Sequence, residues 1–175
     1  MKLSQYTPLA VKTLAPGSYR EVIQHGFTGL VTELGELVDI YKRQVYYKKQ
    51  PDRDHLIEEV GDLMWYLAIL AEAIGIPFPE EREIVIPEQY QGLSDFEILS
   101  KLSVHAVRGF SIAGDNFELA EPFTPEIIKR CLFWLKCFVD NHAIALEDAA
   151  EANIAKLARR YGDKFSEYRA INRVA

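Results

Sequence analysis

Two short segments of the chain repeat a pattern of paired acids on either side of a glycine. ELGEL begins at Glu33, and EVGDL begins at Glu59. Glu33 and Glu36 are three residues apart, as are Glu59 and Asp62, so on a helix each pair projects from one side. Carboxylates gathered in this way form a potential cation site.

The residues three and four positions from these acids include no Lys or Arg. Like charges at this spacing destabilise an exposed helix slightly, and much more when leucines place them on a core-facing stripe. We therefore expect the four acids to share a cation. Hard oxygen ligands favour Mg²⁺ or Mn²⁺ over zinc. A di-iron carboxylate site is disfavoured because no Glu in the chain has His three residues later.

Each acidic pair also contains a glycine, Gly35 or Gly61. Glycine in a helix interior destabilises it by about 1 kcal/mol relative to alanine. Close approach of the two helices or of a ligand would explain each glycine, and ordinary tight packing explains it equally well.

A second group of candidate residues lies near the end of the chain. Asn153, Lys156 and Arg160 share one helical face, and Tyr161 follows them. These side chains could hold phosphate oxygens opposite a carboxylate site. The alternative is a basic helix end that complements the helix dipole, which leaves Asn153 unexplained.

The hydrophobic spacing predicts the helices that must position these groups. Ser18 caps a long helix over 18–47, and a second helix runs from Asp52 to Gly75. Further helices are expected over 94–109, 124–143 and 145–162, separated by a proline-rich connector at 76–92 and a loop at 109–125. The connector could contain a short extended piece at 83–86.

The fold class is therefore predicted to be all-α. The expected architecture is a helical bundle built on the antiparallel hairpin of the first two long helices, with the last two helices completing the core. A length of 175 residues favours a single domain over 1–175.

Composition and charge exclude some partners. A net charge of -6 argues against nucleic acid and against an anionic membrane surface. The longest apolar run is far shorter than the roughly 20 residues that span a bilayer. Cys131 and Cys137 lack a CxxC spacing, which favours a reducing cytoplasm.

The two acid pairs, about two dozen residues apart, resemble the signature of the all-α nucleoside triphosphate pyrophosphohydrolases. This MazG-like superfamily includes dimeric dUTPases and phosphoribosyl-ATP pyrophosphohydrolase. The segment NIAKLARRYGDKFS is similar to the closing element of its bacterial and phage members. The resemblance covers roughly residues 19–75 and 147–166.

The resemblance implies hydrolysis between the α and β phosphates of a nucleotide, giving a nucleoside monophosphate and pyrophosphate. It assigns Mg²⁺ binding to the four acids and gives one acid of the first pair, Glu33 or Glu36, the additional task of orienting the attacking water. The phosphates would be held by a set of five residues: Lys42, Asn153, Lys156, Arg160 and Tyr161. Homodimers or homotetramers are common in the family.

Two alternatives stay open from the sequence. One is a narrower enzyme that selects dUTP, dCTP or dGTP, because the acids define the reaction but not the base. The other is a catalytically silent helical module that binds nucleotide or metal and works through a partner. The connector could be a lid over the base or an oligomer contact.

Overall fold

The computed structural model describes residues 1–115, 117–162 and 165–171, with the side chains of 117–121 excepted. Within these residues all regular structure is helical, which confirms the all-α class. The helices are α1 (Leu3–Ala10), α2 (Tyr19–Tyr47), α3 (Arg53–Ala73), α4 (Asp95–Asp115), α5 (Phe117–Asn141), α6 (Leu146–Tyr161) and α7 (Glu167–Ile171). Short 3₁₀ turns occur at Val11–Thr13, Glu81–Glu83 and Glu88–Tyr90.

The predicted helix boundaries are confirmed where the sequence contains a cap. The Ser18 hydroxyl accepts a hydrogen bond from the Glu21 amide, and the Glu21 carboxylate accepts one from the Ser18 amide, so α2 begins with a capping box. Asp52 caps α3 by accepting from the Asp54 amide at 3.0 Å. Gly162 follows α6 with a φ of 72°, a conformation that glycine adopts easily.

Helix α3 lies at the centre of the bundle. Helices α1, α2, α5 and α6 all pack against it, and α4 packs against α2 and α5. Over 67–71 it is buried on every side, with consecutive residues from Leu67 to Ala71 at most 1% exposed. A helix that is apolar all round can exist in water only in such a position. The same helix carries two of the four candidate acids, Glu59 and Asp62, one to two turns before this buried stretch.

Helix α1 was not predicted from the sequence. It packs against α3 and α6, and its residues Leu3, Tyr6 and Ala10 are fully buried. The core therefore includes α1, and it also includes α4 through residues such as Leu99 and Leu102. The bundle is larger than the predicted core of one hairpin and the last two helices.

The connector between α3 and α4 holds two helix N-termini. Glu80 accepts hydrogen bonds from the amides of Leu3, at 3.1 Å, and Ser4, at 3.2 Å. Glu81 accepts from the amide of Glu147, at the start of α6. These carboxylates satisfy amide groups that have no partner within their own helices. Among the described residues of the connector there is no strand. A 3₁₀ turn ends at Glu83 and residues 84–87 are irregular, so no β-strand forms at 83–86.

The prediction of a loop at 109–125 is wrong. Helix α4 continues to Asp115, and α5 begins at Phe117 and contains Pro122 and Pro125. Gly109 is a packing residue, because a Cβ at this position would lie 2.2 Å from the Phe27 ring. The close contacts of α4 with α2 and α5 outweigh the low helix propensity of glycine and proline.

Within the described residues, no helix is both long enough and apolar enough to cross a membrane.

Candidate metal centre

Three of the four predicted metal ligands lie together. Glu33 projects from α2, and Glu59 and Asp62 project from α3. One carboxylate oxygen from each residue lies within 4.8 Å of the other two. Glu59 is 8% exposed, and the other two residues are partly buried. The packing of α2 against α3 thus gathers three hard oxygen ligands at one point.

The pKa values of all three acids are raised. Burial raises the pKa of Glu33 from about 4.5 to about 7, and the charges of Asp62 and Glu59 contribute. Burial also raises the pKa of Glu59, with a further increase from Asp62. The pKa of Asp62 is raised by burial although Lys156 opposes the shift. Ionising these acids together is unfavourable, so a bound cation would stabilise their charged forms.

Glu33, Glu59 and Asp62 fit a divalent cation. Their ligand atoms are oxygens, they come from two rigid helices, and their charges are incompletely compensated within the cluster. Oxygen donors of this kind suit Mg²⁺ and Mn²⁺.

Asp62 nevertheless has partners from α6. The Asn153 side-chain amide donates to one oxygen of Asp62 at 2.8 Å, and the Lys156 ammonium contacts the other at 2.5 Å. Lys156 also pairs with Glu58 at 2.7 Å. The expectation that the acids have no cationic partner is wrong for Asp62. Neighbours three and four residues away lie on the same helix, whereas Lys156 comes from α6.

Glu59 has a partner on its own helix. His55 lies one turn earlier on α3, and its Nε2 is 2.9 Å from a Glu59 oxygen. The sequence contains this pair at a spacing of four residues, which places the two side chains on one side of α3. It orients the Glu59 carboxylate at the edge of the cluster.

Glu36 and Lys42 occupy different positions from the cluster. Glu36 is exposed, and the three-acid cluster found among the described residues does not include it. Lys42 is paired with Asp39 one turn earlier, and its side chain is 49% exposed. The structure therefore does not bring Lys42 to the acids.

A cavity of about 1180 Å³ opens over the cluster. The three acids share its lining with Lys156, Arg159 and Arg160 from α6. Acidic and basic groups thus face the same space, which suits a bound cation together with an anionic ligand.

Arg160 and Tyr161, two of the candidate phosphate-binding residues, line the cavity. The Arg160 guanidinium is 5.0 Å from the centroid of the Tyr161 ring, and its Nη2 donates to the Ala170 carbonyl at 3.3 Å. Its buried Nε has no hydrogen-bond partner among the described residues. An unpaired buried donor is uncommon in folded proteins, and the residue that carries it lines the cavity.

Aromatic rings form another part of the cavity wall. Trp65 and Tyr66 pack edge to face with centroids 4.9 Å apart, and His25 packs against Tyr66 at 5.6 Å. Gly29 makes room for Tyr66, because a Cβ on Gly29 would lie 1.9 Å from its ring. The wall offers a surface on which a planar ring could pack.

The glycines of the two acidic motifs differ in their surroundings. A Cβ on Gly61 would lie 2.9 Å from both the Ala149 carbonyl oxygen and the Asn153 Cβ, so this glycine permits the close approach of α6. A Cβ on Gly35 would have no described atom outside its own helix within 4 Å. Close approach therefore explains Gly61 and does not explain Gly35.

Comparison of the chain with protein-family models, with curated proteins and with solved structures gives no match. The function is therefore inferred from the residues of the site and from the motif resemblance.

Proposed function

We propose that the protein is a metal-dependent pyrophosphohydrolase that converts nucleoside triphosphates, deoxynucleotides above all, to nucleoside monophosphate and pyrophosphate. The observation that carries this proposal is the convergence of Glu33, Glu59 and Asp62 at a cavity that also contains Lys156 and Arg160. Such an enzyme would shape or clean the nucleotide pool.

Each side of the cavity has a separate task in this proposal. Glu33, Glu59 and Asp62 would hold Mg²⁺, or Mn²⁺ in its place. The bound cation would offset the negative charge that gathers on the phosphate oxygens during hydrolysis. Glu33 would also orient the attacking water, because it is the acid of the first pair that belongs to the cluster.

The α6 side would bind the phosphates. Arg160 lines the cavity, and its guanidinium would donate to a phosphate oxygen. Lys156 is already paired with Asp62 and Glu58, so it would reach a phosphate only by sharing or exchanging these contacts. Tyr161 supports the Arg160 guanidinium from one face.

The size and lining of the cavity support a nucleotide. A volume of about 1180 Å³ is large beside the roughly 300–1,000 Å³ of common ligand pockets. The Trp65 and Tyr66 wall supplies an apolar surface for a base. A narrower preference for dUTP, dCTP or dGTP is compatible with the same residues, and a substrate panel would distinguish these cases.

The test is to incubate the protein with a panel of NTPs and dNTPs plus Mg²⁺ and to measure the release of monophosphate and pyrophosphate. We expect hydrolysis that EDTA abolishes and that Glu59→Gln reduces by about 10²-fold or more. Absence of turnover for every nucleotide, with Mg²⁺ still bound, would refute the proposed activity.

A matched control is available on the same helix. Glu72 lies near the C-terminal end of α3 and is exposed. Glu72→Gln makes the same chemical change as Glu59→Gln outside the cluster, so it should leave hydrolysis unchanged. Light scattering of the same samples would show whether the chain forms the homodimer or homotetramer that the resemblance implies.

A second candidate is a catalytically silent module that binds nucleotide. One observation favours it: Lys156 already neutralises part of the acidic charge, so the cluster can exist as an ion-pair network without a metal. Nucleotide binding that is saturable, independent of Mg²⁺ and followed by no release of pyrophosphate would favour this module over the enzyme.

A further inference from the structure

The hydroxyl of Tyr6 reaches the candidate metal centre from α1. Tyr6 is fully buried, and its hydroxyl donates to the Asn153 carbonyl oxygen Oδ1 at 2.8 Å. The same hydroxyl lies 3.3 Å from the Gly61 carbonyl oxygen. α1 is thus connected both to α6 and to the turn of α3 that carries Asp62.

This contact determines which end of the Asn153 amide faces Asp62. Because Oδ1 accepts from Tyr6, the NH₂ group is turned toward Asp62 and donates to it at 2.8 Å. The reversed amide would place two acceptor oxygens against each other and leave the Tyr6 hydroxyl without this acceptor. Asn153 is 2% exposed, so water cannot easily take over either contact.

We propose that Tyr6 is a positioning residue of the metal centre, which acts through Asn153 to hold Asp62 in the orientation that faces Glu33 and Glu59. The proposal rests on the proposed function, since it requires that the cluster binds a cation. Asn153 then serves as a donor to a ligand carboxylate. This role differs from the direct phosphate contact that the sequence suggested.

The approach of α6 makes this chain of hydrogen bonds possible. Gly61 leaves the space in which the Asn153 Cβ lies, and a side chain at Gly61 would displace it. The connector residue Glu80 holds the other end of α1 through the Leu3 and Ser4 amides. Hydrogen bonds from outer residues to metal ligands commonly change metal affinity by about 10–100-fold.

The test measures the dissociation constant of Mn²⁺, with no nucleotide present, by titration calorimetry. We expect Tyr6→Phe and Asn153→Ala each to weaken Mn²⁺ binding by about tenfold. The double variant should be no weaker than Asn153→Ala alone, because Tyr6 acts through Asn153. Equal Mn²⁺ affinity in Tyr6→Phe and in the wild type, or additive losses in the double variant, would overturn the proposal.

The matched control is Glu80→Gln, which loosens α1 at its N-terminal end without touching Tyr6 or Asn153. It should lower the melting temperature and leave Mn²⁺ affinity within about twofold of the wild type. If Glu80→Gln weakens Mn²⁺ binding as much as Tyr6→Phe does, then the effect is general docking of α1 and the positioning role is wrong.

A wild-type measurement decides the case in which Tyr6→Phe does not fold. The two side-chain amide protons of Asn153 should remain protected from solvent exchange, followed by NMR, when the protein is saturated with Mg²⁺. Loss of this protection would mean that the amide leaves Asp62 and would overturn the proposal. If the wild type binds neither Mn²⁺ nor Mg²⁺, the proposed metal centre fails together with this inference. Binding to the wild type with no effect of Tyr6→Phe refutes the inference alone.

Discussion

Replacing Glu33 by glutamine should stabilise the protein in the absence of a divalent cation. Glu33 has a raised pKa, about 7 instead of about 4.5, because the folded protein buries it beside Asp62 and Glu59. The folded state therefore holds a proton between these two pH values that the unfolded state has already released. Stability is lost as pH rises through this window. Glutamine is neutral at every pH and removes this loss.

The size of the effect follows from the pKa difference. A tenfold change in a proton dissociation constant is about 1.36 kcal/mol, so a difference of about 2.5 pH units is equivalent to about 3.4 kcal/mol. Glu33 is only partly buried, and solvent screens such interactions, so we take somewhat less than half of this value, roughly 1.5 kcal/mol. For a chain of this size the melting temperature should rise by about 3–6 °C at pH 8.

The assay is thermal unfolding at pH 8 and at pH 5, with and without Mg²⁺. In EDTA, Glu33→Gln should exceed the wild type at pH 8, and the difference should shrink at pH 5. Adding Mg²⁺ at about 100 times its dissociation constant should stabilise the wild type by about 2.7 kcal/mol. The variant should gain much less, because it has lost the negative charge of one of the three clustered carboxylates.

Glu36→Gln is the matched control for this experiment. Glu36 lies three residues later on α2 and is exposed, outside the three-acid cluster. Its charge makes the smallest of the contributions to the raised pKa of Glu33, so its replacement should change the stability in EDTA much less than Glu33→Gln does and should leave the gain from Mg²⁺ intact. The reasoning is refuted if Glu33→Gln destabilises the cation-free protein at pH 8, or if Mg²⁺ stabilises both variants equally.

Three further predictions can be tested with the same melting assay or a titration. Gly61→Ala should destabilise the protein by about 1–3 kcal/mol through overpacking against α6, whereas Gly35→Ala should stabilise it by up to about 1 kcal/mol through helix propensity; equal effects of the two changes would contradict the assigned packing. Lys156→Met should destabilise by about 2 kcal/mol in EDTA because it leaves the partly buried Asp62 carboxylate without its cationic partner, and the loss should be smaller in Mg²⁺; a loss unaffected by Mg²⁺ would show that Asp62 does not bind the cation. The affinity for Mn²⁺, measured by titration calorimetry, should rise between pH 6 and 8, because the cation binds deprotonated acids and Glu33 has a pKa of about 7; a flat profile would exclude Glu33 as a ligand.

The long helices and the acidic cluster could be predicted because their signals are local. Ser18 with Glu21, and Asp52 before α3, are caps readable within four residues. The spacing of Glu59 and Asp62 places both on one side of α3, and the hairpin connection brings α2 alongside. Helical geometry and the hairpin connection were therefore enough to predict that these three acids lie close together.

The parts that could not be predicted depend on contacts between distant residues. Tyr6 and Asn153 are 147 positions apart, and no local sequence pattern indicates that their side chains form a hydrogen bond. Glycine and proline have low helix propensity. Gly109 and Pro125 therefore led to the prediction of a loop between them. The packing of Gly109 against Phe27 reverses that expectation, and only the folded neighbourhood contains this information.

The two glycines show why a repeated motif need not have a repeated meaning. ELGEL and EVGDL have the same spacing, but α2 carries Gly35 on an exposed surface, and the central helix α3 carries Gly61 against α6. Where another helix approaches very closely, a central helix has room only for glycine. At Gly61 that neighbour is Asn153, whose amide then reaches Asp62. The glycine of the second motif therefore shapes the candidate metal centre by allowing α6 to approach, and a side chain there should disturb Asp62 even though it adds no charge.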